Sequence, residues 1–318
     1  MSSMYGNFKS QAELDAAYDV ENSVADFMVY ANQYIEGSAQ VRIDLQNDVD
    51  VAYGPTVDEY VDIFPAAKAN APVLVFLHGG YWKSLSAKEF SFVARGLVAS
   101  GITVVVGNYS ICPTVTMDEI VRQARAMVAW VYKNISCYNG DPNKLFVCGH
   151  SAGGHLAAMC ILTDWPRAYG LPSDLIAGGV LISGLFDLEP LQYSFLQSDL
   201  RLSKAQIQRN SPQYLVSRVS SHFLISYGDN EPLEFSRQSD DFFRACKAEG
   251  NQVSLLTQSG CNHFMAIMGF MDGKSSFCES ICKFMGHRAD SSHTYINASE
   301  HRYGVSLYSS RRSRIWLK

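Results

Sequence analysis

Three short stretches of this 318-residue chain carry side chains that together could split a carbonyl compound. Gly149-His150-Ser151-Ala152-Gly153 has the form G-x-S-x-G. Where such a stretch turns from strand to helix, its glycines permit a sharp bend that lifts the serine hydroxyl above the sheet edge. A serine hydroxyl is a weak nucleophile until a base takes its proton, so a carboxylate and then a histidine are expected further along. Gly228-Asp229-Asn230-Glu231 supplies a carboxylate and Gly260-Cys261-Asn262-His263-Phe264 a histidine. Asp229 is expected to orient the imidazole and stabilise its charged form, and His263 to carry the proton. The third stretch is His78-Gly79-Gly80-Tyr81-Trp82. Attack on a carbonyl leaves negative charge on its oxygen, and backbone N–H groups aimed there contribute about 3 to 4 kcal/mol each. The N–H groups of Gly80, Tyr81 and Ala152 are assigned to this oxyanion hole, and His78 to holding the loop. Tyr81 and Trp82 are candidate substrate contacts, with Phe186 and Tyr193 as further aromatic candidates for the pocket wall.

The elements around these stretches must bring them to one edge of a sheet. From Pro72 onward, short apolar runs alternate with longer helical ones, the pattern of a mainly parallel central sheet flanked by helices. Strands are predicted at 73–77, 102–106, 145–148, 178–182, 222–227 and 253–256, with helices at 88–100, 116–134, 155–163, 234–250 and 277–285. Each chemical stretch then directly follows a strand. Strand, elbow and helix in this order predict the α/β class and, within it, the α/β-hydrolase fold. Residues 1–70 read as an N-terminal arm with one helix and an irregular stretch, and 71–286 as the hydrolase domain. The segment 185–215 breaks the rhythm and is the candidate cap, a small insertion over the active site. Residues 287–318 carry six Lys or Arg without an apolar period, as a disordered basic tail would.

Composition narrows the partners. A formal charge of −5 and a pI near 5.9 give no basic face for nucleic acid, so a small-molecule substrate is expected. No apolar run approaches the roughly 18 residues of a membrane span, and Met1 to Gln11 lacks a secretion pattern, so the expected location is cytoplasmic, with no membrane partner. The eight cysteines form no C-x-x-C pair and read as free thiols, mostly buried. His150 and His155 lack a third ligand at a zinc spacing, so packing or hydrogen bonding is their expected role. No metal and no cofactor are expected. Self-association into a homodimer is left open.

The residues also resemble a known family, the metal-independent arylformamidases or kynurenine formamidases. Its H-G-G-Y-W loop is similar to 78–82, the stretch after its next strand resembles Tyr109 to Thr116 with Glu119-Ile120-Val121 and Gln123, and its elbow resembles G-H-S-A-G-G-H at 149–155. Leu14 to Tyr18, Tyr53-Gly54 and Asp62-Ile63-Phe64 resemble its N-terminal arm. The likeness spans about residues 12 to 286. It implies Ser151, Asp229 and His263 as the triad, and hydrolysis of N-formyl-L-kynurenine to L-kynurenine and formate in tryptophan degradation. One departure bears on the acid: a shorter link to Glu234-Phe235 is expected than the one after Asp229, which leaves Glu231 as an alternative. Two other functions fit the same residues, a carboxylesterase or arylesterase acting on short-chain esters and a non-catalytic receptor on this fold. The receptor would lack the histidine that this chain has at 263.

Overall fold

The computed structural model describes residues 5–286, so the expectation for the 287–318 tail lies outside the described residues. The chain opens with α1 (Gln11–Tyr18), α2 (Phe27–Asp44), β1 (Asp48–Ala52), β2 (Tyr60–Phe64) and β3 (Ala71–Leu77). Tight helical turns at 87–89 and 91–93 lead into α3 (Ala94–Ala99), then β4 (Thr103–Gly107), α4 (Met117–Asn134) and β5 (Gly140–His150). After these come α5 (Ala152–Ile161), α6 (Trp165–Tyr169), β6 (Gly178–Ile182), α7 (Gln197–Leu200), α8 (Lys204–Asn210) and α9 (Pro212–Leu215). The chain continues through β7 (His222–Gly228), α10 (Leu233–Ala248), β8 (Val253–Gln258) and α11 (Ser276–Phe284).

The strands form one sheet in the order β1-β2-β4-β3-β5-β6-β7-β8. β2 runs antiparallel to both its neighbours, and the strands from β4 to β8 are parallel. This is the mainly parallel α/β-hydrolase sheet expected from the sequence. Its centre is β3, buried at every position but Pro72, as a strand covered on both faces must be. Alternate side chains serve opposite faces. Val73, Val75 and Leu77 join one core with α4, α5 and α10, while Leu74 and Phe76 join a second core with α2, α3 and α11. The register sets Leu77 beside both Gly107 and Gly149, and His150 beside Ile182. The loops after β3, β5 and β6 therefore leave the sheet side by side.

Two segments differ from expectation. Residues 12–70 hold two helices and two strands rather than one helix and an irregular arm. β2 carries a buried Asp62, whose carboxylate accepts from Lys88 Nζ (2.7 and 2.9 Å) and the Asp50 N–H (2.9 Å); a charge in mid-strand hides the period-2 signal. Residues 88–100 form two tight turns and a short helix, because Phe90 and Phe92 are both buried and positions two apart cannot share one helix face. The 185–215 insertion is there as a turn and three short helices. It is tied to α4 by Arg209 and Asn210, which donate to Asp118 at 2.6 to 2.8 Å.

Candidate active site

Ser151 sits between β5 and α5 with φ +57° and ψ −120°, a conformation that non-glycine residues adopt only when the surroundings impose it. Here the imposition is close packing at the turn. A Cβ on Gly153 would lie 1.9 Å from the Leu77 carbonyl oxygen, so only glycine lets α5 start this near β3. The Ser151 N–H donates to the Ile182 carbonyl (2.9 Å). The serine side chain faces a cavity of about 430 Å³ whose walls include Gly79, Gly80, Tyr81, His150, His263 and Phe264.

The histidine arrives on the loop after β8. His263 is buried, and its Nδ1 lies 2.6 Å from Oε2 of Glu231. The Glu231 carboxylate is also buried, and its Oε1 accepts from Ser183 Oγ and from the Gly228 N–H, both at 2.6 Å. Two donors thus hold one carboxylate against one ring nitrogen, which directs the other nitrogen, Nε2, away from the acid.

The acid that meets His263 is therefore Glu231 and not Asp229. β7 ends at Gly228, and the Asn230 N–H donates to the Cys261 carbonyl (3.0 Å) and the Glu231 N–H to that of Gly228 (3.3 Å). This turn swings residue 231 back under the imidazole. Asp229 is exposed and accepts from the Gly260 N–H (2.7 Å), so it braces the histidine loop from outside. The turn and the loop approach so closely that a Cβ on Gly228 would lie 2.1 Å from the Cys261 carbonyl oxygen.

His150 braces the same loop from within. Its Nε2 lies 2.9 Å from the His263 carbonyl oxygen and its ring 4.5 Å from the His263 ring. Burial, and secondarily the nearby His263, push its pKa well below the usual imidazole value. It is a neutral ring that donates through Nε2. Phe235 covers the other side of His263 at 4.4 Å between centroids. His150 thus has the packing and hydrogen-bonding role expected of it, whereas Ser183 and Phe235 were not among the expected site residues, because nothing in a strand end or a helix start marks the residue it will touch across the sheet.

The glycine loop is held with its backbone in the left-handed region, with φ of +106° at Gly80, +49° at Tyr81 and +55° at Trp82. The N–H groups of Lys83 and Ser84 both donate to the Gly80 carbonyl (3.0 Å). His78 supports the loop from below, with Nδ1 2.7 Å from the Gly79 carbonyl and its ring stacked 4.1 Å from Tyr109. Burial lowers its pKa to about 4. Gly80 and Tyr81 line the cavity with Ser151, and Ala152 is the first residue of α5, where an N–H has no acceptor within the helix.

Of the expected substrate contacts, Tyr81 lines the cavity and Trp82 does not. Trp82 is fully buried and packs edge-on against His155 at 4.9 Å. His155 in turn lies with Nε2 2.6 Å from the Asn210 carbonyl. Phe186 is a core residue stacked on Phe242 (4.3 Å), and Tyr193 stacks on Tyr5 (5.3 Å) outside the cavity. The 185–215 insertion contributes Phe195 to the wall, while the N-terminal segment contributes Tyr18 to Asn22 and Tyr34. The roof expected from the insertion is thus mostly supplied by the arm. Among the described residues, no three His, Cys, Asp or Glu side chains converge as metal ligands, and no helix is long and apolar enough to cross a membrane.

Comparison with known proteins places this arrangement. A family model described as BD-FAE matches residues 61–168. The chain is 34% identical to the kynurenine formamidase of Salmo salar over 79% of its own length and 86% of the relative's. The kynurenine formamidase of Danio rerio gives the same identity and the same two shares. A crystal structure from Silicibacter sp. TM1040, provisionally described as a thioesterase, superposes with a TM-score of 0.74 at 25% identity, covering 84% of this chain and 97% of that one. With a serine elbow, an acid–histidine pair and a glycine loop gathered on one cavity, and with this likeness across most of its length, the chain belongs to the kynurenine formamidase family of α/β hydrolases and is an arylformamidase-like hydrolase.

Proposed function

We propose that the chain hydrolyses the formamide bond of N-formyl-L-kynurenine, releasing L-kynurenine and formate, through an acyl-enzyme on Ser151. The observation that carries this reading is the pairing of buried His263 with buried Glu231 at the wall of the cavity into which Ser151 faces, in a chain akin to two kynurenine formamidases. His263 Nε2 takes the Ser151 proton as Oγ attacks the formyl carbon, and the carbonyl π electrons move onto oxygen. The N–H groups of Gly80, Tyr81 and Ala152 receive that charge. Glu231 stabilises the imidazolium and fixes its tautomer. Collapse of the intermediate breaks the C–N bond while His263 returns its proton to the leaving arylamine. Water, activated by the same histidine, then attacks the formyl ester, giving formate and free Ser151.

The chemistry of the bond favours this site. An aryl formamide releases a weakly basic amine and bears only hydrogen on its carbonyl carbon, so a crowded acyl site suffices. Turnover should appear as the absorbance change of the free arylamine together with stoichiometric formate. A phosphonate should label Ser151 and abolish both signals. Turnover that survives complete labelling of Ser151, or labelling confined to another residue, would refute the mechanism.

A further inference from the structure

The oxyanion loop is clamped from behind by a residue of the N-terminal segment. The hydroxyl of Tyr81 donates to the backbone carbonyl of Tyr18 (2.5 Å), and both residues are buried. Tyr18 is the last residue of α1, and its own hydroxyl reaches the opposite way. It donates to Glu234 Oε2 (2.6 Å) and accepts from Gln238 Nε2 (3.0 Å), both on α10. Neither partner is free to drift. Arg237 holds Glu234 through two contacts of 2.6 Å, and Gln238 Oε1 accepts from the N–H groups of Phe186 and Asp187 at 2.7 and 2.8 Å. The Tyr18 ring meets Phe235 edge-on (6.4 Å), and Phe235 in turn covers His263.

We propose that Tyr18 is a positioning residue: bonded at its carbonyl to Tyr81 and at its hydroxyl to α10, it holds the oxyanion loop at a fixed distance from the Glu231–His263 pair. The need for such a clamp follows from the backbone. Gly80, Tyr81 and Trp82 all have positive φ, and two of them carry side chains that disfavour it. Within the loop, the Gly80 carbonyl is bonded, the Trp82 carbonyl accepts from the Cys112 N–H (2.7 Å), and the Tyr81 hydroxyl ties the loop to the end of α1. α10 begins two residues after Glu231, so a single helix anchors both the acid and the clamp. The inference rests on the proposed assignment of Gly80 and Tyr81 to the oxyanion hole.

Donors aimed at a developing oxyanion act in the transition state and not in the bound substrate, and this distinguishes a clamp from a wall. Tyr81→Phe removes one oxygen and leaves the ring in the cavity wall. Steady-state turnover of N-formyl-L-kynurenine is measured beside inhibition by 2,2,2-trifluoroacetophenone. Ser151 Oγ adds to this ketone's carbonyl carbon, its proton passes to His263, and the former carbonyl oxygen becomes an oxyanion in the hole. The expected result is a fall in kcat of about tenfold with KM within about twofold, and a rise in the inhibition constant by the same factor as the fall in kcat. Tyr18→Phe, which keeps the carbonyl but loses the anchor to α10, should change both quantities in the same direction by a smaller factor, and it decides the matter if Tyr81→Phe does not fold.

An unchanged kcat in both variants, or a risen KM with an unchanged inhibition constant, would overturn the clamp while leaving the proposed reaction intact. Failure of wild-type protein both to cleave the formamide and to bind the ketone would instead overturn the reading of the site, and the clamp with it.

Discussion

At the scale of single residues, the exchange of Asp229 for Glu231 is the sharpest lesson. Both carboxylates follow β7, and residue type alone could not choose between them. The geometry does, because Glu231 is buried against His263 with Ser183 and Gly228 as further donors, whereas Asp229 faces solvent and braces Gly260. Glu231→Gln should lower kcat by about 10³ to 10⁴, the scale on which loss of the acid's charge and tautomer control acts in a serine triad. Asp229→Asn should stay within about fivefold, the loss expected of a residue outside the reacting group. Equal losses, or the reverse order, measured as kcat on properly folded variants, would remove Glu231 from its assigned role. The sequence did hold a signal for this choice in the length of the link to Glu234-Phe235. It could not show that the intervening turn reverses direction.

At the scale of elements, much was legible because each chemical stretch directly follows a strand. β6 was predicted with its observed ends, and α4 begins at the predicted Thr116 cap, whose side chain accepts from the Glu119 N–H. What escaped were elements whose signal is erased by tertiary partners: β2 with its buried Asp62, the turns of 87–93 that bury two phenylalanines, and the part the N-terminal segment takes in the cavity. The junction of β7 and α10 gives a test at this scale. Gly228→Ala would place a methyl group 2.1 Å from the Cys261 carbonyl oxygen, so the acid turn and the histidine loop must part. We expect a loss of about 1 to 3 kcal/mol of stability, read from a urea midpoint, with activity falling further than stability does. A variant of wild-type activity and midpoint would show that the two loops tolerate separation.

At the scale of the whole molecule, buried imidazoles tie stability to pH. Burial lowers the pKa of His78 and of His155 to about 4, against about 6.5 for an exposed histidine. Above pH 6.5 the folded and unfolded chains both hold these rings neutral, and the full stability is present. As pH falls from about 6.5 toward 4, the unfolded chain binds protons that the folded chain cannot, and stability is lost by up to about 3 kcal/mol for each ring. The urea midpoint should therefore fall steadily over this window. His155→Gln, which keeps a donor for the Asn210 carbonyl without a titrating group, should show a shallower fall. A midpoint that is flat between pH 7.5 and 5 would contradict this account of the core.

The central claim, that this cavity hydrolyses aryl formamides, is tested most directly by kcat/KM for N-formyl-L-kynurenine measured beside its N-acetyl analogue and a medium-chain p-nitrophenyl ester. Tyr81 stands on the cavity wall with Gly80 and Ser151, held in place through its hydroxyl, and a ring fixed beside the oxyanion donors would crowd any acyl group larger than formyl. The account predicts that the formyl substrate exceeds the acetyl one by at least about a hundredfold, a transition-state difference near 2.7 kcal/mol. A preference for the medium-chain ester, with negligible turnover of the formamide, would contradict it and make the protein a carboxylesterase.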